Sequence, residues 1–560
     1  MKGLFLMAAA IGAAVSVLGQ LPERSGAGRP VCANAAEIAE QVASDVSNPV
    51  RQGGVEGRAF WNGRSVLFMH PPAFGFAKVP GAVRYRYDVR ASDGAMHSFE
   101  AKEPDDSLAA VWMRLPEGMT GLEVVGLNEK GKELGAAGSR RFWKSAAFDP
   151  GKCPPGVCGY SESALMYLDW LFRMPNTQSY LLHGVPDESY PYNAYPSKSD
   201  SAVVNAFVCY AALRPDRKDA ALTVARRAAD HLLSLMMPPG SPLEHFPHTY
   251  RVLNPPNGFA PKDQGANKIA KKYQGQVMVV YPAVVGRAFI NLFNATGDAK
   301  YRDAAIRIAG TYLKLQGEDG TWCLKVRESD GQPVAQNRLF PLGVCDFLED
   351  IYAVTGDERF RAASDRAFEF VEKGPLAVWN WDAQFEDVAP SGLYRNLTIH
   401  TPVATALHLL KRYPGDMKRR EIARECLRFA EDQFVLWRLP FGPDGTGPLS
   451  PGTAVIPASS RKEWFDVPQA LEQYDWYLPI DGSASKMIKG YLAFYRAEGR
   501  AVDLAKARAL GDAITIMQKK HGKGGGFPTH WTTMEVGSDM SPWINCGTGT
   551  AQTLMSLANP

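Results

Sequence analysis

Two stretches of this chain mix carboxylates with aromatic rings in a way that suits proton transfer. Residues 379–387 read Trp379-Asn-Trp-Asp-Ala-Gln-Phe-Glu-Asp387, and Gly392-Leu-Tyr-Arg-Asn-Leu-Thr-Ile-His400 follows closely. The pair of segments supplies Asp382, Glu386 and Asp387 beside Tyr394, Arg395 and His400, with Trp379 and Trp381 in front. The second stretch, Gln473-Tyr-Asp-Trp-Tyr-Leu-Pro-Ile-Asp-Gly-Ser483, sets Asp475 and Asp481 among Tyr474, Trp476 and Tyr477. A carboxyl pressed against aromatic surface is desolvated and holds its proton more tightly, while one in contact with water stays ionised. Two such groups can act as acid and base on either side of a bond to be cleaved. Asp387 and Asp481 are the expected pair.

A second chemistry is written into the same residues. Tyr394, Arg395, Asn396 and His400, and separately His248, Tyr250 and Arg251, contain the types needed to abstract a proton beside a carboxylate and neutralise the charge left behind. Tyr394 and His400 are therefore expected to be catalytic. His248, Tyr250, Arg251, Trp381, Arg395, Asp475, Trp476 and Trp543 are expected to bind the substrate. Lys262, Lys268, Lys271 and Lys272 form a local basic cluster that suits an anionic group, or else a solvated loop. No C-x-x-C pair or H-E-x-x-H helix is present, and Gly524-Gly-Gly526 is not followed by the Lys-Ser/Thr of a phosphate loop. No metal or cofactor is expected. Asp200 reads as a helix cap, and Cys153 and Cys158 are spaced to close a small disulfide loop.

These residues need a scaffold, and a repeat reveals it. Asn294-Ala-Thr-Gly-Asp298 precedes Tyr301-Arg302, Val354-Thr-Gly-Asp357 precedes Phe360-Arg361, and Tyr413-Pro-Gly-Asp416 precedes Arg419-Arg420. Asp298, Asp357 and Asp416 recur every 59 residues, each at a tight turn between amphipathic helices, where an aspartate suits an N-cap. The same unit pairs 199–213 with 218–237, 277–293 with 299–315, 341–353 with 358–372, 398–412 with 417–436, and 484–497 with 502–520. Helices at 162–172 and 549–557 complete a sixth hairpin. The predicted fold is mostly α, an (α/α)6 toroid over 160–560 preceded by a small β-sandwich. The turns within hairpins are short. The connections between them (186–198, 238–276, 316–340, 373–397, 437–483 and 521–545) are long and emerge on one face, where they build a cleft.

Residues 1–19 read as a signal peptide: Lys2, an apolar run from Leu4 to Leu18, and small residues around Gly19. The run is short for a membrane span, so cleavage and a secreted or periplasmic protein are expected. A segment at 20–54 holds a predicted helix at 35–47. Strand-like runs at 64–69, 83–89, 109–114 and 121–126 predict a β-sandwich of immunoglobulin or fibronectin type III kind over 55–148, with a linker at 149–159. A net charge of +3 over 560 residues gives no support to nucleic-acid binding. The sequence leaves the oligomeric state open.

An export signal, an N-terminal β module and six helical hairpins with aromatic loops together resemble the six-hairpin carbohydrate-active enzymes, glycoside hydrolases with polysaccharide lyases as architectural relatives. The resemblance rests on the Thr-Gly-Asp repeats and covers 160–560; no single family's catalytic signature is matched. It implies a glycan substrate and two carboxylates flanking a glycosidic bond. The lyase alternative uses the Tyr/His/Arg sets on a uronate. An epimerase would use similar groups but fits export less well. A non-catalytic glycan-binding protein, and an open helical array for protein partners, complete the alternatives.

Overall fold

The computed structural model describes residues 35–55, 58–59, 61, 65–260, 263–334, 337–388, 394–441, 447, 464–532 and 541–560. The expected signal peptide and Lys262 lie outside these residues. Helix α1 (Ala35–Ser47) comes first, followed by five strands: β1 (Leu67–Phe68), β2 (Arg84–Arg90), β3 (Met96–Ala101), β4 (Gly118–Leu127) and β5 (Glu133–Lys144). Twelve longer helices follow: α2 (Tyr160–Arg173), α3 (Pro196–Leu213), α4 (Lys218–Ser234), α5 (Tyr281–Thr296), α6 (Ala299–Leu315), α7 (Leu342–Thr355), α8 (Glu358–Lys373), α9 (His400–Arg412), α10 (Met417–Phe434), α11 (Asp481–Glu498), α12 (Ala501–His521) and α13 (Ile544–Ala558). Shorter helices are named by their residues.

The hairpins are α3–α4, α5–α6, α7–α8, α9–α10 and α11–α12, and α13 pairs with α2 to complete the sixth. One helix of each hairpin forms an inner ring. Around it α13 touches α3, α3 touches α5, and the contacts continue through α7, α9 and α11 back to α13. The ring closes, so the fold is an (α/α)6 toroid and not an open array. Close packing of the inner helices is visible at Gly286 of α5, where a Cβ atom would lie 2.3 Å from the Phe347 ring of α7.

The turn chemistry explains the regularity. α5 ends at Gly297 and α7 at Gly356, at φ +72° and +70°, a left-handed conformation that stops a helix and that glycine adopts without strain. Asp298 then accepts from Lys300 N, Asp357 from Arg359 N and Asp416 from Arg419 N. All three repeated aspartates are N-caps, satisfying amides that the first turn leaves free.

The N-terminal region differs from expectation. Its described strands make one five-stranded sheet, ordered β1-β5-β4-β2-β3, with only β1 parallel to its neighbour, plus a two-residue pairing of Gly54–Val55 with Arg58–Ala59. Two facing sheets of a sandwich are not found among the described residues. Tyr85, Tyr87, Val89, Leu122 and Val124 form a buried face, together with Phe74, Trp112 and Phe142. The other face carries ion pairs such as Arg84–Glu100 and Arg86–Glu133. The expected strand at 109–114 is instead a short helix, Ala109–Trp112. Its buried residues Leu108, Val111, Trp112 and Leu115 follow a helical period, which the alternation reading missed. The strands at 96–101 and 133–144 escaped notice because their apolar residues do not alternate cleanly.

This layer rests on the toroid. Met69 N and His70 N donate to Asp432 at the end of α10, and the Trp61 ring stacks on Phe429 at 6.0 Å. α1 sits on α12 through Arg500–Asp45 at 2.8 Å. Cys153 and Cys158 are not joined to each other, so the expected small disulfide loop is not found among the described residues. No helix among the described residues is long and apolar enough to cross a membrane.

Candidate active site

The connections between hairpins gather over one end of the ring and enclose a cavity of about 730 Å³. Five of the six long connections line it: Tyr190, Tyr192 and Tyr195; Gly265, Lys268 and Ile269; Glu386, Asp387 and Asn396; Glu472, Asp475 and Trp476; His530, Trp543 and Asn545. The sixth, 316–340, stands behind the wall and contributes Lys325, whose Nζ donates to the Glu386 carbonyl at 3.3 Å. The first turn of inner helix α3 adds Lys198 and Ser199.

Glu386 is the most constrained of the acids. It is almost fully buried, Lys198 Nζ lies 2.5 Å from Oε1, and the Tyr281 hydroxyl donates to Oε2. Tyr250 donates to its carbonyl at 2.9 Å. Burial penalises the charge, but the Lys198 ammonium and the Tyr281 hydroxyl outweigh it and hold the carboxyl below the ordinary range. Lys198 is held charged in return: burial disfavours its ammonium, and Glu386 and Asp387 more than compensate.

Asp387, next along the chain, is open to the cavity. Desolvation and the adjacent Glu386 charge push its carboxyl up. Glu472 enters from the far connection and is buried. Burial first, then the charges of Asp387, Glu386 and Asp481, push it up to about 8 against the opposing pull of Lys198. Glu472 is thereby biased toward its protonated form, which can donate a proton. One cavity thus holds an anchored carboxylate, two open carboxyls (Asp387 and Asp475) and a buried acid that favours its proton. Around them stand Tyr192, Trp476 and Trp543, with Trp476 42% exposed.

Of the residues expected from sequence, Asp387, Asp475, Trp476 and Trp543 line the cavity. Asp475 is placed by its amide, which donates to Asn396 Oδ1 at 2.9 Å. Tyr250 supports the floor without lining it. Asp481 does not reach the cavity: it is buried at the first turn of α11 and accepts from Thr550 of α13 at 2.9 Å. Desolvation pushes it up to about 7. Tyr394 turns away, its hydroxyl donating to the Val378 carbonyl and its φ at +61°. His400 lies at the start of α9 against Lys486, and burial pushes that amine down to about 7. Trp381 is in the core, packed on Trp379. Arg395 is exposed outside the cavity. His248 pairs with Glu328 at 2.7 Å and Arg251 with Glu188 at 2.7 Å, both away from it. Of the basic cluster, only Lys268 reaches the cavity wall among the described residues. Asp200 is no cap: it is buried within α3, accepting from Tyr180 and paired with His231.

Lys198 and Glu472 were missed, and each left a signal. Lys198 is a cation in the first turn of a helix, where the macrodipole disfavours it. Glu472 interrupts the run Val467-Pro-Gln-Ala-Leu-Glu-Gln-Tyr474 with the one ionisable carboxyl among otherwise neutral residues.

No family model and no curated relative matches the sequence. Among solved structures, the chain is similar to a family 76 glycoside hydrolase from a bovine Bacteroides thetaiotaomicron strain, at 11% identity and a TM-score of 0.45, covering 87% of this chain and 95% of that one. It is also similar to cellobiose 2-epimerase from Spirochaeta thermophila, at 13% identity and a TM-score of 0.45, covering 67% and 88%. Similarity to an unsaturated glucuronyl hydrolase from Streptococcus agalactiae stands at 12% identity and a TM-score of 0.41, covering 71% and 91%.

Proposed function

We propose that the protein is a carbohydrate-active enzyme, and specifically a glycoside hydrolase. The observation that carries this reading is the placing of a proton-holding acid, Glu472, and an open carboxyl, Asp387, in one aromatic-walled cavity. The aromatic walls suit the apolar faces of sugar rings. In this mechanism Glu472 gives its proton to the glycosidic oxygen as that bond breaks. Asp387 acts on the opposite side of the ring, as base toward water or as nucleophile. Glu386 has both carboxylate oxygens engaged and serves as a fixed charge.

The eliminative reading loses support because its residues do not assemble. Tyr394, Arg395, His400 and His248 all lie outside the cavity lining. The test is product analysis on neutral and acidic glycans. Hydrolysis gives new reducing ends with no ultraviolet absorbance from a conjugated unsaturated uronate. Appearance of that absorbance would replace this reading with a lyase. Binding without turnover across the panel would favour a glycan-binding protein. Residues 1–19 further support action outside the cytoplasm, tested by sequencing the N-terminus of the mature protein.

A further inference from the structure

We propose that Lys198 is a positioning residue acting through Glu386: the Lys198–Glu386–Tyr281 clamp aims Asp387 into the cavity and fixes the charge that Asp387 and Glu472 face. The inference rests on the hydrolase reading for its catalytic consequence but not for the clamp itself.

The geometry is specific. Lys198 comes from α3, Tyr281 from α5, Tyr250 from the 238–276 connection and Lys325 from the 316–340 connection. All four converge on one residue, Glu386, and take up both of its carboxylate oxygens and its carbonyl. The next residue in the chain is Asp387, which makes no comparable contact and opens to the cavity. A residue tied at backbone and side chain leaves its neighbour few directions in which to point. Lys198 also sits over the Trp543 ring, 5.5 Å from its centroid, a further contact that holds the ammonium in place.

Lys198 stands where a lysine is locally unfavourable. Its helix dipole points positive charge at it, and burying an ammonium is costly. Glu386 compensates it. The groups facing this ammonium are Glu386 and Asp387 from one connection, Glu472 from another, Cys546 from α13 and, as a like charge, Lys486 from α11. Those facing Glu472 are Lys198, Asp387, Glu386 and Asp481. Lys198 is thus the cation common to all three acids, and it draws Asp387 and Glu472 downward while Glu386 pushes them up. Neutralising Lys198 removes only the downward pull, so all three acids should hold their protons to higher pH.

The experiment compares Lys198→Met, which removes the charge, with Lys198→Arg, which keeps it. The first readout needs no substrate: an infrared titration of the carboxyl band in the full chain. In Lys198→Met a buried carboxyl should take its proton about one pH unit higher than in the parent, and in Lys198→Arg at nearly the parent pH. The second readout is the pH–rate profile on the hydrolysed glycan. Lys198→Met should lose on the order of a hundredfold in kcat with little change in KM, and both limbs should move to higher pH. Lys198→Arg should keep the parent limbs at a smaller loss. An unshifted titration in Lys198→Met, with circular dichroism matching the parent, would overturn the clamp. A shifted titration in a protein that hydrolyses no glycan would retain the clamp and remove the hydrolase reading. Equal losses in both variants with unmoved limbs would reduce Lys198 to a packing residue and overturn the proposal.

Discussion

The two ends of the toroid treat the same residue type in opposite ways. At the turn end, Asp298, Asp357 and Asp416 stand at the surface and commit their oxygens to helix amides two or three residues away. At the loop end, Glu386, Glu472 and Asp481 are buried and answer to partners far away in sequence. A carboxylate at the turn end keeps its water and contributes stability. One at the loop end is stripped of water, its proton affinity changes, and stability is given up for chemistry. The contrast is between local satisfaction of the backbone and long-range control of charge.

The largest effect expected from this contrast is on rate. Glu472→Gln keeps the shape and removes the transferable proton, and should lower kcat by roughly 10²–10⁴-fold. Asp387→Asn should do the same. Activity should decline as pH rises through about 8, because Glu472 then loses the proton it must donate. An enzyme fully active well above that pH would break the assignment of Glu472 as acid.

The next effect separates burial from catalysis. Asp481 has no cavity exposure, and desolvation pushes it up to about 7. In the unfolded chain it titrates near the ordinary aspartate value of about 3.9. The folded state therefore binds the extra proton, and stability falls as pH rises between those two values. Asp481→Asn removes that penalty and keeps an acceptor for Thr550. The variant should gain on the order of a few kcal/mol over the parent at pH 8, and the gain should vanish toward pH 4, read as melting temperature against pH. A destabilised variant at pH 8 would mean that the charged form of Asp481 is stabilised in the fold.

Legibility in the sequence follows the same division. The hairpins were readable, with most helix ends falling within a few residues, because their signals are local: a period of 3.6, a glycine that stops one helix, an aspartate that caps the next. That the long connections share one face also followed from spacing alone. The cavity lining was legible only in part. Asp387, Asp475, Trp476 and Trp543 could be found because their connections are rich in aromatics. Asp481 was named and Glu472 passed over although both sit in the same connection, only nine positions apart. Which of them meets the cavity is decided by the bridge of Thr398 to Gln473 and by the start of α11, long-range facts that no spacing encodes. Tyr394 and His400 had the right types for catalysis, but the backbone turns one away at positive φ and places the other against Lys486. The sheet was misjudged because residues packed on its buried face come from a short helix, which supplies Trp112, and a loop, which supplies Phe74.

Ligand contact at the loop end should show as affinity. Trp476 is the large aromatic most open to the cavity. Trp476→Ala should raise KM roughly threefold to tenfold with kcat nearly held, as loss of one ring–sugar contact implies. Equal falls in kcat and kcat/KM would instead place the ring at the reacting bond.

The smallest effect tests the turn end, and it must leave chemistry untouched. Asp298 accepts from Lys300 N at 3.1 Å and ties down the first turn of α6. Asp298→Ala removes that acceptor and should cost about 1 kcal/mol of stability. Asp298→Asn keeps a side-chain oxygen in place and should recover most of it. Both variants should show the parent's kcat and KM, because α6 lies in the outer ring and its first turn is at the end away from the cavity. A capping variant that slowed turnover would show that the two ends are coupled through the hairpin, and the division between a stabilising end and a reactive end would no longer hold.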